Sequence, residues 1–423
     1  MNFIDLLYLA LLTPFGFALL IKSRLRKIFA FRIGQRLGNT TLPGKKSGKR
    51  IWIHAASVGE VNLVKPLISK LAGRNEDIVL SVFTDTGMQA ANKAFPHLPA
   101  FILPLDFSFL IKRILKTVKP DVIVLVESEL WPNLITESRR QNVPIILINA
   151  RVTESSLKKY RLFSGFYRQL FDKFAVIAAQ NAAVAERILS LGVCKNKVSV
   201  TGSMKYDLDY PQAELENAAA LREKFGFMPR DTVIAAGSTH EPEEEIILRS
   251  FAKLREKRQN LRLIIAPRHI ERLNDVRNAV SKAGYEAALY SEALKHGPIA
   301  QSGKTCLIVD TVGDLMKIYA VADIVFVGGS LVSRGGQNIL EPASLKKPVV
   351  FGNSMRNFAE PAQALLKNNA ALQVQNEAEL HDALEKLASE PGAAGLMGQK
   401  AAETIKTLQG ATKKHLNLIY DII

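Results

Sequence analysis

The chain has 423 residues, a net charge of +16 and a sequence pI of about 9.7. This length exceeds that of one ordinary hydrophobic core and predicts two domains of roughly 200 residues each. The charge indicates an anionic partner, and charge alone leaves nucleic acid, acidic lipid and a phosphorylated substrate open. The only two cysteines, Cys194 and Cys306, lack CxxC or Cys/His spacing, which argues against a disulfide framework and a zinc site.

An apolar segment opens the chain. Residues 3–21 carry a single charge, at Asp5, and a basic cluster follows at 22–27. Basic residues after the apolar run are typical of a membrane anchor rather than a cleaved signal peptide, and they predict that the rest of the chain stays cytoplasmic. Pro14 interrupts a segment already short for a span, so both a spanning helix and a helix lying in the leaflet stay open. The alternative is a buried N-terminal helix of a soluble domain.

Short apolar runs alternate with helical segments from residue 51 onward, which predicts an α/β protein with parallel sheets. Open α/β sheets bind their ligands beyond the carboxyl ends of the strands. The candidate site residues are therefore those that directly follow the predicted strands. In the first half these strands lie at 51–56, 78–83, 121–126, 144–148, 176–180 and 198–202.

Glu60 follows the first of these strands, in a predicted tight turn formed by residues 57–60. A carboxylate at this position either stabilises a helix N-terminus by a few tenths of a kcal/mol or acts as a general base. Position alone does not separate these two explanations. Glu127 and Glu129 follow the strand at 121–126, and an acidic pair between a buried strand and a Trp-Pro turn favours a functional role. Arg151 is a candidate phosphate or carboxylate ligand, the alternative being a surface ion pair.

The second half repeats the pattern, with predicted strands at 232–236, 261–266, 307–310, 322–327 and 348–353 and turns rich in small polar residues. After the strand at 232–236, the turn at 237–241 is a candidate anion site, and the glutamates at 243–245 are assigned to the dipole of the next helix. The strand at 261–266 leads to Arg268, the candidate for neutralising a leaving phosphate. His269 is either a packed histidine or a ligand contact.

Residues 328–343 combine two glycine pairs with polar side chains. The pair at 328–329 follows an apolar strand and predicts close approach of backbone N–H groups to a bound anion. Asn338 is expected to cap the following helix, and Glu341 suits a pair of ribose hydroxyls. An ordinary strand-to-helix connection is the alternative.

A D-x-D triplet at 207–209 lies in the predicted interdomain linker at 203–212. Metal-binding D-x-D sites of glycosyltransferases end a strand beside the sugar phosphate, and this triplet does not. No metal is therefore predicted.

Seven motifs, each at a predicted strand end, resemble the 3-deoxy-D-manno-octulosonic acid (Kdo) transferases of lipopolysaccharide synthesis. The resemblance covers nearly the whole chain. In order, the motifs are SVGE at 57–60, ESELWPNL at 127–134, NAR at 149–151, AGSTHEPEEE at 236–245, PRH at 267–269, DTVGDL at 310–315 and GGSLVSRGGQNILEPA at 328–343.

The resemblance implies a GT-B fold, in which two Rossmann-like domains face a central cleft. It implies an anchor at 1–27, an acceptor-binding domain at 28–205, a CMP-sugar-binding domain at 206–395 and a C-terminal helix at 396–423 that returns to the first domain. The expected partners are CMP-Kdo, a lipid A precursor and anionic lipids at the cytoplasmic face of the inner membrane, and not nucleic acid. The reaction is expected to invert the anomeric centre without a metal or other cofactor.

The same resemblance implies roles for single residues. Glu60 matches the catalytic base of the family, and Glu129 matches a second catalytic acidic residue that places the acceptor. On the donor side, Arg268 matches the residue that contacts the phosphate, and Glu341 matches the residue that contacts the ribose. Gln337 departs from the histidine common in the family, which leaves the fine donor contacts open. The other expected substrate contacts are Ser57, Gly59, Arg151, Ser238, Thr239, Pro267, His269, Gly313, Gly328, Gly329, Ser330 and Asn338.

Two other function classes fit the same pattern. One is a nucleotide-sugar epimerase of the same architecture, which needs no anchor. The other is a membrane-tethered nucleotide-binding protein without catalytic activity. The number of Kdo residues added does not follow from the sequence.

Overall fold

The structure, a computed structural model, describes residues 2, 4–10, 33–46, 48–207, 213–298 and 304–423. The chain divides into two units, the first formed by Met1–Leu208 with Gln409–Ile423 and the second by Asp209–Leu408. The predicted division at 395 falls inside the helix Pro391–Leu408, so the chain returns to the first unit later than expected.

The first unit contains a parallel sheet of seven strands in the order β3-β2-β1-β4-β5-β6-β7. Its strands are rich in Val, Ile and Leu and mostly buried on both faces, as parallel sheets covered by helices require. They are β1 Arg50–His54, β2 Asp77–Val82, β3 Ala100–Ile102, β4 Val122–Val126, β5 Ile145–Ala150, β6 Val176–Ala179 and β7 Val198–Val200. Besides the helical residues 4–10, the described α-helices of this unit are Ile33–Arg36, Val58–Leu63, Lys65–Ala72, Asp85–Ala94, Ser108–Val118, Pro132–Arg140, Glu154–Leu162, Ser164–Phe171, Ala182–Leu189 and Ala411–Tyr420.

The strand order of the first unit reverses between β1 and β4, which pair in register with Ile51 opposite Val122. Open sheets bind ligands in the crevice beyond the carboxyl ends of two such strands. The segments leaving β1 and β4 contain Glu60 and Glu129, respectively.

The second unit repeats this architecture with the order β10-β11-β9-β8-β12-β13-β14, again fully parallel. Its reversal lies between β8 and β12, where Ile234 pairs with Ile324. The strands are β8 Thr232–Thr239, β9 Leu261–Pro267, β10 Glu286–Leu289, β11 Thr305–Ile308, β12 Ile324–Val327, β13 Val349–Gly352 and β14 Ala371–Val374. The α-helices are Ala213–Glu216, Ala218–Phe225, Glu243–Lys257, Leu273–Lys282, Tyr290–His296, Leu315–Val321, Leu340–Ser344, Ala359–Lys367, Glu377–Ser389 and Pro391–Leu408.

The final helix, Ala411–Tyr420, is attached to the first unit by buried polar contacts. His415 is fully buried, and its Nε2 accepts the backbone N–H of Asn149 at 2.9 Å. Asp207, the first aspartate of the D-x-D triplet, accepts the backbone N–H groups of Gly410 and Thr412. Its carboxylate thus caps this helix.

Residues 4–10 of the predicted anchor are helical and pack on the first unit. The Asp5 carboxylate is buried and accepts the backbone N–H of Ser108 at 2.8 Å, the Ser108 hydroxyl at 2.6 Å and the Asn133 amide at 3.0 Å. This part of the chain therefore agrees with the alternative of a packed N-terminal helix. The rest of the predicted anchor, from residue 11 to residue 27, lies outside the described residues, and no described helix is long and apolar enough to cross a membrane.

Candidate functional site

Glu60 lies in the first turn of the helix Val58–Leu63, which follows β1. The predicted tight turn at 57–60 is wrong, because the helix already begins at Val58. Glu60 turns back over the helix N-terminus: Oε2 accepts the backbone N–H of Ala56 at 2.6 Å, and Oε1 accepts the Ser57 hydroxyl at 3.2 Å. This arrangement resembles a capping box, except that the hydroxyl donates to the carboxylate instead of capping the helix.

The pKa of Glu60 is shifted further than a role in capping the helix requires. Burial raises its pKa to about 7, and the negative charge of Glu129 adds to this effect, while the Ala56 N–H acts against it. A carboxyl group that titrates near neutral pH can accept a proton during a reaction and release it afterwards. The structure thus shows Glu60 at the helix N-terminus, and a pKa of about 7 is compatible with the alternative role of a general base.

Glu129 is held by aromatic and imidazole neighbours. Its Oε2 accepts the indole N–H of Trp131 at 2.7 Å and lies 3.6 Å from Nε2 of the buried His54. Its side chain is 20% exposed, so the carboxylate is both fixed and accessible.

A buried polar network supports this arrangement from inside the sheet. The Ser81 hydroxyl lies 2.7 Å from the indole nitrogen of Trp52 and 2.9 Å from Nδ1 of His54. An indole N–H can only donate, so the Ser81 oxygen accepts it and its own hydrogen is free to point at Nδ1. We therefore assign the ring hydrogen of His54 to Nε2, facing Glu129.

In the second unit, the glycine turn after β12 binds an anion that belongs to the protein. The backbone N–H groups of Gly329, Ser330 and Leu331 donate to the carboxylate of Glu243 at 2.7 to 3.0 Å, and that of His240 donates at 2.9 Å. Glu243 is fully buried. The prediction that the pair at 328–329 offers free N–H groups to a ligand is wrong in this structure, because an internal carboxylate already fills the turn.

The neighbouring predicted contacts are also internal. Ser330 is fully buried, donates its hydroxyl to Val327 O and accepts the N–H of Gly352. The Thr239 hydroxyl, likewise buried, donates to Glu244 at 2.9 Å. Glu244 also binds Arg272 at 2.8 Å. The glutamates at 243 and 244 thus hold these turns in place, and they also lie in the first turn of the helix Glu243–Lys257, as the predicted interaction with the helix dipole requires.

Beside this turn lies an open cavity of about 520 Å³, which we call the donor cavity after the role that the family resemblance implies for its residues. This volume is within the range of small-molecule sites. It lies beyond the carboxyl ends of β8, β9 and β11 and combines apolar walls with a few polar groups. The cavity is lined by Ser238, Ala266, Pro267, Arg268, His269, Ile270, Glu271, Val309, Thr311, Val312, Gly313, Leu315, Gln337, Asn338 and Glu341.

The polar side chains of the donor cavity differ in whether they already make hydrogen bonds within the protein. Asn338 accepts the backbone N–H of Leu340 and donates to Glu341 at 3.0 Å, so the pair is preorganised. Burial raises the pKa of Glu341. Arg268 is exposed, and its guanidinium makes no hydrogen bond or ion pair to the residues that the structure describes. Gln337, the departure from the family pattern, lies with Nε2 3.4 Å from Nε2 of His240.

Comparison with known proteins places the chain in a family. A family model described as 3-deoxy-D-manno-octulosonic-acid transferase (kdotransferase) matches residues 31–208. The 3-deoxy-D-manno-octulosonic acid transferase of Haemophilus influenzae is 34% identical over 94% of this chain and 92% of that protein. The chain belongs to the Kdo transferase family. The predicted resemblance to this family is thereby confirmed.

Two further comparisons define the limits of this assignment. A bifunctional glycosyltransferase/methyltransferase of Fusobacterium nucleatum is also 34% identical over 92% of this Kdo transferase, which spans only 59% of that longer protein. A glycosyltransferase structure from Rickettsia africae covers 89% of this chain and 99% of its own, with a TM-score of 0.61 and 14% identity. The latter shows the fold alone, and it supports two Rossmann-like units of GT-B type.

The structure brings half of the predicted substrate contacts of the Kdo transferase to one cavity: Ser238, Pro267, Arg268, His269, Gly313, Asn338 and Glu341. Gly328, Gly329, Ser330 and Thr239 belong to the buried turn instead. Ser57 and Gly59 lie beside Glu60, and Arg151 is exposed after β5. Sequence reasoning missed Thr311, Val312 and Leu315 within a motif it had identified, and it missed His54, whose signal is a polar residue in a buried strand.

The coupling between the two carboxyl groups predicts the effect of Glu129→Gln. Removing the charge of Glu129 removes repulsion of the ionised Glu60, so the pKa of Glu60 is expected to fall from about 7 toward its ordinary value. An NMR titration of the carboxyl carbons of ¹³C-glutamate-labelled protein measures this pKa. The signal of Glu60 is the one that is absent from the spectrum of Glu60→Gln. Glu127→Gln is the matched control, because Glu127 contributes less and is paired with Lys205 at 3.0 Å. A larger fall in Glu127→Gln than in Glu129→Gln would contradict this coupling.

Proposed function

We propose that this Kdo transferase moves Kdo from CMP-Kdo to a lipid A precursor of the lipid IVA type in lipopolysaccharide synthesis, with inversion of the anomeric centre. The observation that carries the mechanism is the Glu60 carboxyl, which is partly buried, held by Ala56 and Ser57, and shifted to a pKa of about 7. Such a group is suited to take a proton from a hydroxyl at neutral pH.

The proposed reaction is a single displacement. The acceptor hydroxyl oxygen attacks the anomeric carbon of Kdo while the bond from that carbon to the CMP phosphate oxygen breaks. Glu60 takes the hydroxyl proton, and the bonding electron pair leaves on the phosphate of CMP. Attack from the side opposite the leaving group inverts the anomeric configuration. Glu129, fixed by Trp131 and His54, is proposed to place the acceptor.

The donor cavity supports the binding of CMP. Arg268, free of internal partners among the described residues, would bind the phosphate, and the charge-assisted contact would strengthen as CMP leaves. The side-chain oxygens of Glu341 and Asn338 would accept hydrogen bonds from the ribose hydroxyls. Val309, Val312 and Leu315 form apolar walls against which a cytosine ring could pack.

We propose that the reaction needs no metal, because Arg268 can neutralise the leaving phosphate. One described group could hold an ion, formed by His381, Asp382 and Glu385 on the helix Glu377–Ser389. Glu385 already pairs with Lys257 at 2.8 Å. Transfer is therefore expected to continue in EDTA.

The experiment is transfer from labelled CMP-Kdo by the full chain. Incubation with a lipid A precursor in EDTA is expected to give a labelled lipid, whose mass counts the sugars and whose NMR spectrum shows an inverted anomeric centre. An epimerase would instead convert a nucleotide sugar without an acceptor, and a non-catalytic protein would only bind CMP. Absence of labelled lipid would overturn the proposal.

We also propose that the protein acts at the cytoplasmic face of the inner membrane. An exposed apolar patch supports this location: Leu162 is 77% exposed and Phe163 67%, with Phe166 beside them. Exposed basic residues lie in the same segment, at Lys158, Lys159, Arg161 and Arg168. Apolar side chains among basic ones suit the surface of an anionic leaflet.

The double variant Leu162→Ser/Phe163→Ser tests this location. Each large side chain contributes roughly 1.5–3 kcal/mol when fully buried, so the variant is expected to bind anionic vesicles at least about tenfold more weakly. Vesicle sedimentation measures the binding. Leu396→Ser is the matched control, because Leu396 is 54% exposed on a helix of the second unit. Equal binding by the double variant and the control would contradict a role for this patch.

A further inference from the structure

A second pocket adjoins the donor cavity and has no role in the proposal above. It has a volume of about 500 Å³ and is lined by His240, Glu241, Pro242, His269, Arg272 and Arg334. His269 lines both pockets, so a ligand in the donor cavity can extend past it. We propose that this pocket binds the carboxylate of the Kdo residue of the donor, with Arg334 as the residue that recognises it. This inference rests on the proposed donor.

The chemistry of the donor requires a second anion site. Kdo is an octulosonic acid, and in CMP-Kdo its carboxylate and the CMP phosphate are attached to the same anomeric carbon. A protein that binds the phosphate in one subsite must therefore place the carboxylate in a subsite directly beside it. A pocket that shares a wall with the donor cavity meets this requirement.

Arg334 is the arginine of this pocket that is available to a ligand. Arg272 donates two hydrogen bonds to Glu244, at 2.8 and 3.3 Å, and is already paired. Arg334 is exposed, and within the described part of the chain its guanidinium has no hydrogen bond or ion pair. A guanidinium binds a carboxylate through two parallel hydrogen bonds, which makes it selective for this group.

The backbone that carries Arg334 is held in place. Asn357 donates to Arg334 O at 3.2 Å, and the N–H of Gly336 donates to Gly329 O at 2.8 Å. Both Gly335 and Gly336 have positive φ, at 86° and 73°, which tightens the turn directly after the arginine. A fixed backbone with a free side chain positions a charge at little entropic cost.

The other pocket residues fit a sugar acid. Glu241 is exposed and could accept hydrogen bonds from the hydroxyls of Kdo. His240 lies with its ring 5.6 Å from that of His269. Burial and the positive charges of His269 and Arg334 lower the pKa of His240, so its ring is neutral near pH 7. The positive charge that pairs with the carboxylate is therefore that of Arg334.

The test compares two ligands in calorimetric titrations of the full chain without acceptor. Arg334→Gln is expected to weaken CMP-Kdo binding by about tenfold or more, the loss of a charge-assisted contact, and to change CMP binding by less than about twofold. Arg334→Lys should recover part of the loss. Arg268→Gln should weaken both ligands, because it removes the phosphate contact, and Arg277→Gln, an exposed arginine outside both pockets, should change neither.

Equal effects of Arg334→Gln on CMP and CMP-Kdo would overturn the inference by assigning Arg334 to the nucleotide. No effect on either ligand would overturn it as well. These binding results do not depend on turnover. If wild-type protein transfers Kdo while Arg334→Gln binds CMP-Kdo normally, the carboxylate subsite fails and the proposed function stands.

Discussion

Replacing Glu60 by glutamine is expected to lower kcat for Kdo transfer by about 10²–10⁴-fold, the usual contribution of a general base. The amide keeps the size of the side chain and cannot take the acceptor proton. The dissociation constant of CMP should stay unchanged, because Glu60 belongs to the first unit and the donor cavity to the second. Glu154→Gln is the matched control, since Glu154 is also a glutamate in the first turn of a helix but is exposed.

The pH dependence gives a second measure of the same role. A base must be ionised, so kcat/KM of the wild-type enzyme should rise with pH through about 7, where Glu60 titrates. The residual activity of Glu60→Gln should lack this rise. Full activity in Glu60→Gln, or an unchanged pH profile, would show that another group takes the proton.

The free energy of unfolding should change with pH in the direction opposite to kcat/KM. The folded chain binds the Glu60 proton more tightly than the unfolded chain, so the free energy of unfolding falls as pH rises from about 4.5 to about 7. Glutamine carries no charge at any pH and avoids this loss. Glu60→Gln should therefore have a higher Tm relative to wild type at about pH 8 than at about pH 4. A smaller relative Tm at the higher pH would contradict the raised pKa.

The alternation of apolar runs was sufficient to predict parallel sheets in both units, because strands buried on both faces carry few polar residues. Three strands were missed, and all lie at or toward a sheet edge. β3 has only three residues, β10 reads EAAL and β14 carries an exposed Gln373. The sequences of short strands with alanine or polar residues resemble those of helices or loops. Such segments become strands because they pair with the neighbouring strand of the sheet.

The candidate site was predictable where a residue acts close to its own strand end. Arg268 directly follows β9, and this adjacency brings it to the donor cavity. The glycine turn was predicted to bind an anion, and the sequence contains no sign of which anion. Its partner, Glu243, lies 86 residues before Gly329 in the chain. Only the pairing of β8 with β12 brings the two turns together.

The largest expected loss of stability comes from Glu243. Its two carboxylate oxygens each accept two backbone N–H groups at 2.7 to 3.0 Å: Oε1 from Ser330 and Leu331, and Oε2 from Gly329 and His240. In Glu243→Gln the amide NH₂ must face N–H donors, so hydrogen bonds are lost and donors are left buried. Removing one partner from such a buried charged arrangement costs about 3–5 kcal/mol.

The same substitution should also weaken donor binding, because the carboxylate joins the turn that carries His240 to the turn that precedes Gln337. Calorimetric unfolding measures the first effect, with CMP added to identify the transition of the second unit. Glu245→Gln is the control: Glu245 lies on the same helix, is exposed, and pairs weakly with Arg249 at 3.7 Å, so its loss should cost less than about 0.5 kcal/mol. If Glu243→Gln unfolds like this control, the carboxylate does not hold the two turns together, and the donor cavity must owe its shape to the sheet alone.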